Sequence, residues 1–175
     1  MQFHFLASYP VNDDGALGFF ICPCLLRPAS AGSIRLASSD PFDKPLVDPA
    51  YFADPSDLDT LARGIQLGYE IGQHMPQAGT LLRGPADIND LESVRAYVRE
   101  VAATAYHPAG SCKMGPSEDP TAVVDHRLRV HGLEGLRVVD ASIMPDLISG
   151  NTNAPSIMIG EKGAAMIRED ARVGV

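Results

Sequence analysis

Two stretches concentrate the side chains able to do chemistry. "AYHPAGSCKMG" (Ala105 to Gly115) sets His107, Cys112 and Lys113 among a proline and two glycines. Downstream, "SGNTNAPSIMIGEK" (Ser149 to Lys162) brings Asn151 and Asn153 to what reads as a helix start. The first stretch could hold a metal, activate a thiol or position a base. The second could donate hydrogen bonds. Unpaired N–H groups and the positive end of the helix dipole favour negative charge there.

A metal site is the weakest of these readings. His107 and Cys112 are possible zinc ligands, but no second pair stands at zinc-site spacing. "CPC" at Cys22 to Cys24 lies in a strand pattern, where free thiols are mostly small buried hydrophobes. A thiol nucleophile is also weakly supported. His107, Cys112 and Asn151 supply the residue types, yet nothing local places the Cys112 sulfur at a helix N-terminus. A histidine with no such context is structural, and His4, His74, His126 and His131 are read that way. His107 differs because of the asparagine cluster, since asparagine is costly to bury unpaired. A base at one helix end and a donor before the start of another could grip one hydroxyl oxygen, as alcohol oxidation requires.

The elements that must carry these groups are legible in outline. "QFHFLAS" is a short apolar strand, and "ALGFFICPCLL" reads as a continuous buried strand with Pro23 marking an edge or bend. In "GSIRLAS", Ile34 and Leu36 alternate inward. "SDPFDKPLVDPAYFADPSD" carries four prolines and five aspartates and predicts an extended surface connection. A helix over 55–75 follows, with Asp54 as N-cap, Pro55 in its first turn, and one buried stripe of Leu58, Leu61, Ala62, Ile65 and Tyr69. A second begins near Asn89, with Glu92 in a capping-box arrangement, and buries Leu91, Val94, Val98, Val101 and Ala102. Pro108 should stop it at about Tyr106, so His107 opens a loop. "HRLRVHGLEGLRVVDAS" predicts two short strands joined at "HGLEG". A last helix over about 154–169 is capped by Asn153 and tolerates Pro155 in its first turn. No internal repeat is present.

Bulk properties narrow the partners. The chain has 175 residues, 45% of them hydrophobic, with a mean hydropathy of −0.01, which suits one domain or about one and a half. A net charge of −8 leaves no basic face for nucleic acid. The longest uncharged apolar run, "ALGFFICPCLL", is 11 residues, short of the roughly 20 needed to span a bilayer. "MQFHFLASYP" does not read as a signal peptide. Three cysteines are a poor disulfide framework and fit a reducing, cytoplasmic setting.

Several long motifs carry a family resemblance: "YHPAGSCKMG", "VVDHRLRVHGLEGLRVVDASIMP", "GNTNAPSIMIGEKGAAMI" and, upstream, "RPASAGSIRLASSDPFDKPLVDPAYFADPSDLDTLARGIQ". Together they cover nearly the whole chain. They resemble the glucose–methanol–choline (GMC) oxidoreductases, flavin enzymes, in their choline-dehydrogenase-like and alcohol dehydrogenase branches. The residues themselves point to no metal; the resemblance implies FAD as cofactor and a small-molecule alcohol oxidised at its CH–OH group to an aldehyde or ketone. It puts His107 in the place of the general base and Asn151 in that of the second catalytic residue. Asp140 and Ala141 fall on the stretch contacting the ribityl and phosphate part of FAD. Asn151, Asn153, Ala154 and Pro155 fall where the last helix points its start at the flavin ring. Cys112 and Lys113 are left structural. An ordinary imidazole titrates near about 6.5 and suits a base at neutral pH.

The family's G-x-G-x-x-G nucleotide motif is absent from this chain, and Ala31 stands where many members carry arginine. The expected fold is α+β. Residues 1–115 form part of a substrate-binding domain, an antiparallel sheet covered by helices. Residues 116–175 are a return segment completing a Rossmann-like FAD domain whose N-terminal half lies outside this chain and would be its partner. The chain is thus expected to be a C-terminal portion, inactive in isolation. The competing reading is a truncated, non-catalytic module with the substrate-domain fold and no flavin.

Overall fold

The computed structural model describes residues 1–10, 17–75 and 83–173. Two compact units emerge: Met1–Ala37 with Lys44–Ala105, and Ser38–Asp43 with Tyr106–Val175.

In the first unit, β1 (Gln2–Pro10) and β2 (Leu17–Cys24) pair antiparallel, with Gln2 opposite Cys24 and His4 opposite Cys22. Pro23 faces Phe3 in this two-stranded sheet. Among the described residues each of these strands is an edge strand, the place in a sheet where proline is accommodated. The strand is half-buried over 18–21 and exposed at Cys22, not continuously buried as its apolar run suggests; Ala16 lies outside the described residues.

Helix α1 (Pro55–Gln73) starts where its local chemistry dictates. The Asp54 side chain accepts from the Ser56 N–H at 2.9 Å, and Pro55 sits where no N–H is needed. Leu58 and Ala62 are buried and pack with Val94 and Val98 of α2 (Leu91–Val101), flanked by Leu61, Ile65, Ile88 and Leu91. Tyr69 is half-buried outside that cluster. The helix also buries a second face, Gly64, Gly68 and Gly72. A Cβ on Gly68 would stand 3.3 Å from Ile21 Cγ2, so the helix rides close on β2 because this stripe lacks side chains.

Three expectations for this unit are corrected. The N-cap of α2 is Asp90, whose carboxylate accepts from the N–H groups of Glu92 and Ser93 at 3.2 Å each, while Asn89 donates its own N–H to Asp87. Glu92 pairs with Arg95 in place of a capping box. The helix ends at Val101, and Ala102 turns extended. Residues 102–105 are exposed, so a further turn would bury nothing to hold it. Finally, β3 (Ser33–Arg35) pairs with β4 (Leu46–Asp48), the latter inside the proline-rich connection, as a second two-stranded ribbon. Ile34 is 57% and Leu36 85% exposed. Their alternation does not turn them inward, so among the described residues the β structure is two small antiparallel ribbons, β1–β2 under α1 and β3–β4, in place of a single sheet.

The second unit's core is Val124, Leu128, Ile143, Met144 and Ile159. Isolated bridges, Val124 to Val130 and Arg129 to Arg137, replace the two expected strands. The Asp125 carboxylate takes the N–H groups of Arg127 and Arg129 at 2.8 and 2.9 Å. Those donors would otherwise serve a ladder. Gly132 and Gly135 turn the chain at φ 75° and 73°. Helix α3 (Asn153–Val173) runs longer than expected at its C-terminal end. Arg127, Arg129 and Arg137 all bind Asp170 there. No helix among the described residues is long and apolar enough to cross a membrane.

Candidate active site

His107 opens a loop held by backbone bonds. Tyr106 before it takes φ 61° and Gly110 takes φ 85°, the second at the cost a glycine escapes. From Gly110 the chain runs beside a short 3-10 turn, Ala141–Ile143. The N–H groups of Gly110, Cys112 and Met114 donate to the carbonyls of Ala141, Ser142 and Ile143 at 3.4, 2.9 and 2.8 Å. A Cβ at Gly110 would meet the Met144 carbonyl oxygen at 3.3 Å. Asp140 caps the turn by accepting the Ser142 N–H at 2.7 Å.

These rungs give Cys112 and Lys113 structural work. The Cys112 N–H is one rung, and its thiol is free and half-buried. Lys113 Nζ reaches Asp119 Oδ2 at 2.7 Å and Thr121 Oγ1 at 2.9 Å, and the lysine bond holds the Asp119 carboxyl well below the usual range. Among the described residues no three His, Cys, Asp or Glu side chains gather as metal ligands.

The imidazole is tied to the other polar cluster. His107 Nδ1 lies 2.8 Å from Thr152 Oγ1, and Thr152 is buried. The residue binding His107 is therefore neither asparagine but the threonine between them. No periodicity pointed to Thr152; its one signal was a hydroxyl side chain directly before a helix start. Asn151, Asn153 and Ala154 are exposed and Pro155 half-buried. Asn153 is the first residue of α3, with Thr152 ahead of it in the position that Asn153 was expected to fill.

The helix start has a definite donor pattern. The Ser156 N–H bonds back to the Thr152 carbonyl at 3.0 Å, and Pro155 has none to offer. The N–H groups of Asn153 and Ala154 lie among those that a helix leaves without an internal partner. Ala154, Ile157, Met158 and Glu161 share one exposed face at helical spacing, opposite the buried Ile159 and Gly163. An exposed helix start beside apolar side chains fits a flat ring with an electron-rich edge.

A GMC oxidoreductase family model matches residues 28–160. The chain belongs to the GMC oxidoreductase family. Among its GMC relatives, alcohol dehydrogenase (acceptor) of Pseudomonas putida is 47% identical over 176 residues, covering 95% of this chain and 31% of that protein. Human mitochondrial choline dehydrogenase is 41% identical, covering 96% of this chain and 30% of its own length. Pyridoxine 4-oxidase from Mesorbium loti superposes with a TM-score of 0.74 at 32% identity, over 93% of this chain and 32% of that one. A formate oxidase of Aspergillus oryzae RIB40, studied for modification of its FAD, gives 0.76 at 27% identity, over 89% of this chain and 27% of its own. The chain thus spans less than a third of the length of the relatives it matches. Its GMC match contains both His107 and Asn151.

Proposed function

We propose that this chain is the C-terminal portion of an FAD-dependent oxidoreductase that oxidises the CH–OH group of a small alcohol to an aldehyde or ketone. The observation that carries the reading is the bond between His107 and Thr152, which ties the imidazole to the start of α3 beside Asn151. In this reading residues 1–115 contribute to the substrate-binding domain and residues 116–175 complete a Rossmann-like flavin domain. The remaining length seen in the relatives would supply the adenine and pyrophosphate site, so the isolated chain is inactive.

His107 takes the hydroxyl proton of the alcohol on the ring nitrogen that does not face Thr152. The Asn151 carboxamide donates an N–H to the same oxygen, stabilising developing negative charge without titrating. Flavin, when bound, would supply the acceptor for the hydride released from the alcohol carbon. The N–H groups of Asn153 and Ala154 would hold the electron-rich edge of that ring, with Asn151 and Pro155 beside it, and Asp140 and Ala141 would lie along the ribityl and phosphate part. A positioned base contributes roughly 10²- to 10⁴-fold in rate.

The test is His107→Ala in the full-length, flavin-loaded protein. Turnover is expected to fall by at least about two decades with flavin content unchanged. Wild-type turnover in this variant would remove His107 from the mechanism. Full-length protein that stays colourless after FAD is added would favour the non-catalytic module.

A further inference from the structure

A neutral imidazole carries a single N–H, and the nitrogen without it presents the lone pair. In His107 one nitrogen is already engaged, with Nδ1 2.8 Å from Thr152 Oγ1. Thr152 is a firm anchor. It is 8% exposed, its β-branched side chain is stiff about χ1, and its carbonyl accepts both the Ser156 N–H at 3.0 Å and the Ser156 hydroxyl at 2.6 Å.

We infer that Thr152 is a positioning residue for His107: its hydroxyl oxygen accepts the Nδ1–H and thereby keeps the Nε2 lone pair available for the substrate hydroxyl. The inference rests on the proposed base role of His107 and adds which nitrogen works and what selects it. Two arguments fix the direction of the bond. If the hydroxyl donated to Nδ1, the neutral ring would carry its proton on Nε2 and have no lone pair left to offer. An acceptor at Nδ1 also survives the proton transfer, because both nitrogens of the imidazolium are donors. A donating hydroxyl would have to turn away during the step. The ring therefore receives and releases its proton on Nε2 without losing its anchor.

The test uses Thr152→Val, which keeps the shape and removes the hydroxyl, and Thr152→Ser, which restores it. In ¹⁵N-histidine-labelled, flavin-loaded full-length protein, long-range proton–nitrogen spectra read the tautomer of His107, assigned by its loss in His107→Gln. Nδ1–H is expected in the wild type and in Thr152→Ser, with Nε2–H gaining in Thr152→Val. Turnover at saturating substrate should fall by about 10- to 100-fold in Thr152→Val and return largely in Thr152→Ser. A wild-type Nε2–H tautomer overturns the inference, and so does a Thr152→Val protein with unchanged tautomer and turnover. If Thr152→Val does not fold, the wild-type spectrum and Thr152→Ser still decide. Failure of the base reading registers separately, as retained turnover in His107→Ala.

Discussion

Asp170 and Arg129 meet at 2.6 Å near the end of α3, and Arg127 and Arg137 close on the same carboxylate. The Arg129 bond is the first cause of a carboxyl held at about 2, outweighing the opposing cost of desolvation, with Arg137 and Arg127 adding to it. An unfolded aspartate titrates near about 3.9, so the folded group's value is depressed. The clasp's contribution is complete above that unfolded value and is lost as pH falls through about 2. Asp170→Asn should lower the melting temperature at neutral pH. It should also flatten the acid dependence between about pH 4 and 2, as thermal melts across that range will show.

In the proposed mechanism the Asn151 carboxamide donates to the oxygen where alkoxide charge would develop. Asn151→Ala should slow reduction of the flavin by substrate by about 10²- to 10³-fold while flavin remains bound. Single-turnover bleaching of the full-length protein measures this. Equal rates in variant and wild type would remove the carboxamide from the reaction.

Gly163 faces Val139, and a Cβ there would collide with Val139 Cγ1 and press on Cγ2 at 3.3 Å. Alanine should gain about 1 kcal/mol in helix propensity. Valine cannot swing away cheaply, and overpacking costs about 1–3 kcal/mol. Gly163→Ala should therefore be neutral to destabilising by about 2 kcal/mol. Denaturant unfolding of both single variants and the Val139→Ala pair should give a favourable coupling between the sites.

Asp57 is buried in the first turn of α1 and accepts the backbone N–H groups of Ala29 and Ser30 at 2.8 Å each. Burial pushes its carboxyl up, but the bonds from Ser30 and Ala29 together win and its value lies below the ordinary one. Asp57→Ala leaves two part-buried donors without that acceptor. It should cost about 2 kcal/mol in chemical denaturation, and Asp57→Asn should recover only part.

Local chemistry made the helices legible. Asp54 and Pro55 announce the start of α1, and Val94 with Val98 mark the buried side of α2, because caps and periodicity act within one or two turns. The glycine face of α1 escaped a reading built on apolar side chains, although its four-residue spacing was present. Ile34 and Leu36 alternated as a buried strand would, yet burial depends on a covering layer that a three-residue ribbon does not announce. Between Val124 and Val138 the apolar pattern suggested strands, but the Asp125 carboxylate competes for the backbone. His107 and Asn151 stood out as a potential base and a donor beside a helix start, and the family motifs then gave them roles. The bond joining His107 to Thr152 spans 45 positions and leaves no local pattern to find.

The proline in the third place of α3 has a consequence for what that terminus can recognise. With Pro155 silent and Ser156 spent on Thr152, the amides of Asn153 and Ala154 are the two left over in the first turn, and in the proposed reading they make a two-pronged contact. A tetrahedral phosphate cradled by a helix start draws on a fuller nest of amides and would be poorly served. A planar rim with neighbouring acceptors could engage both prongs at once.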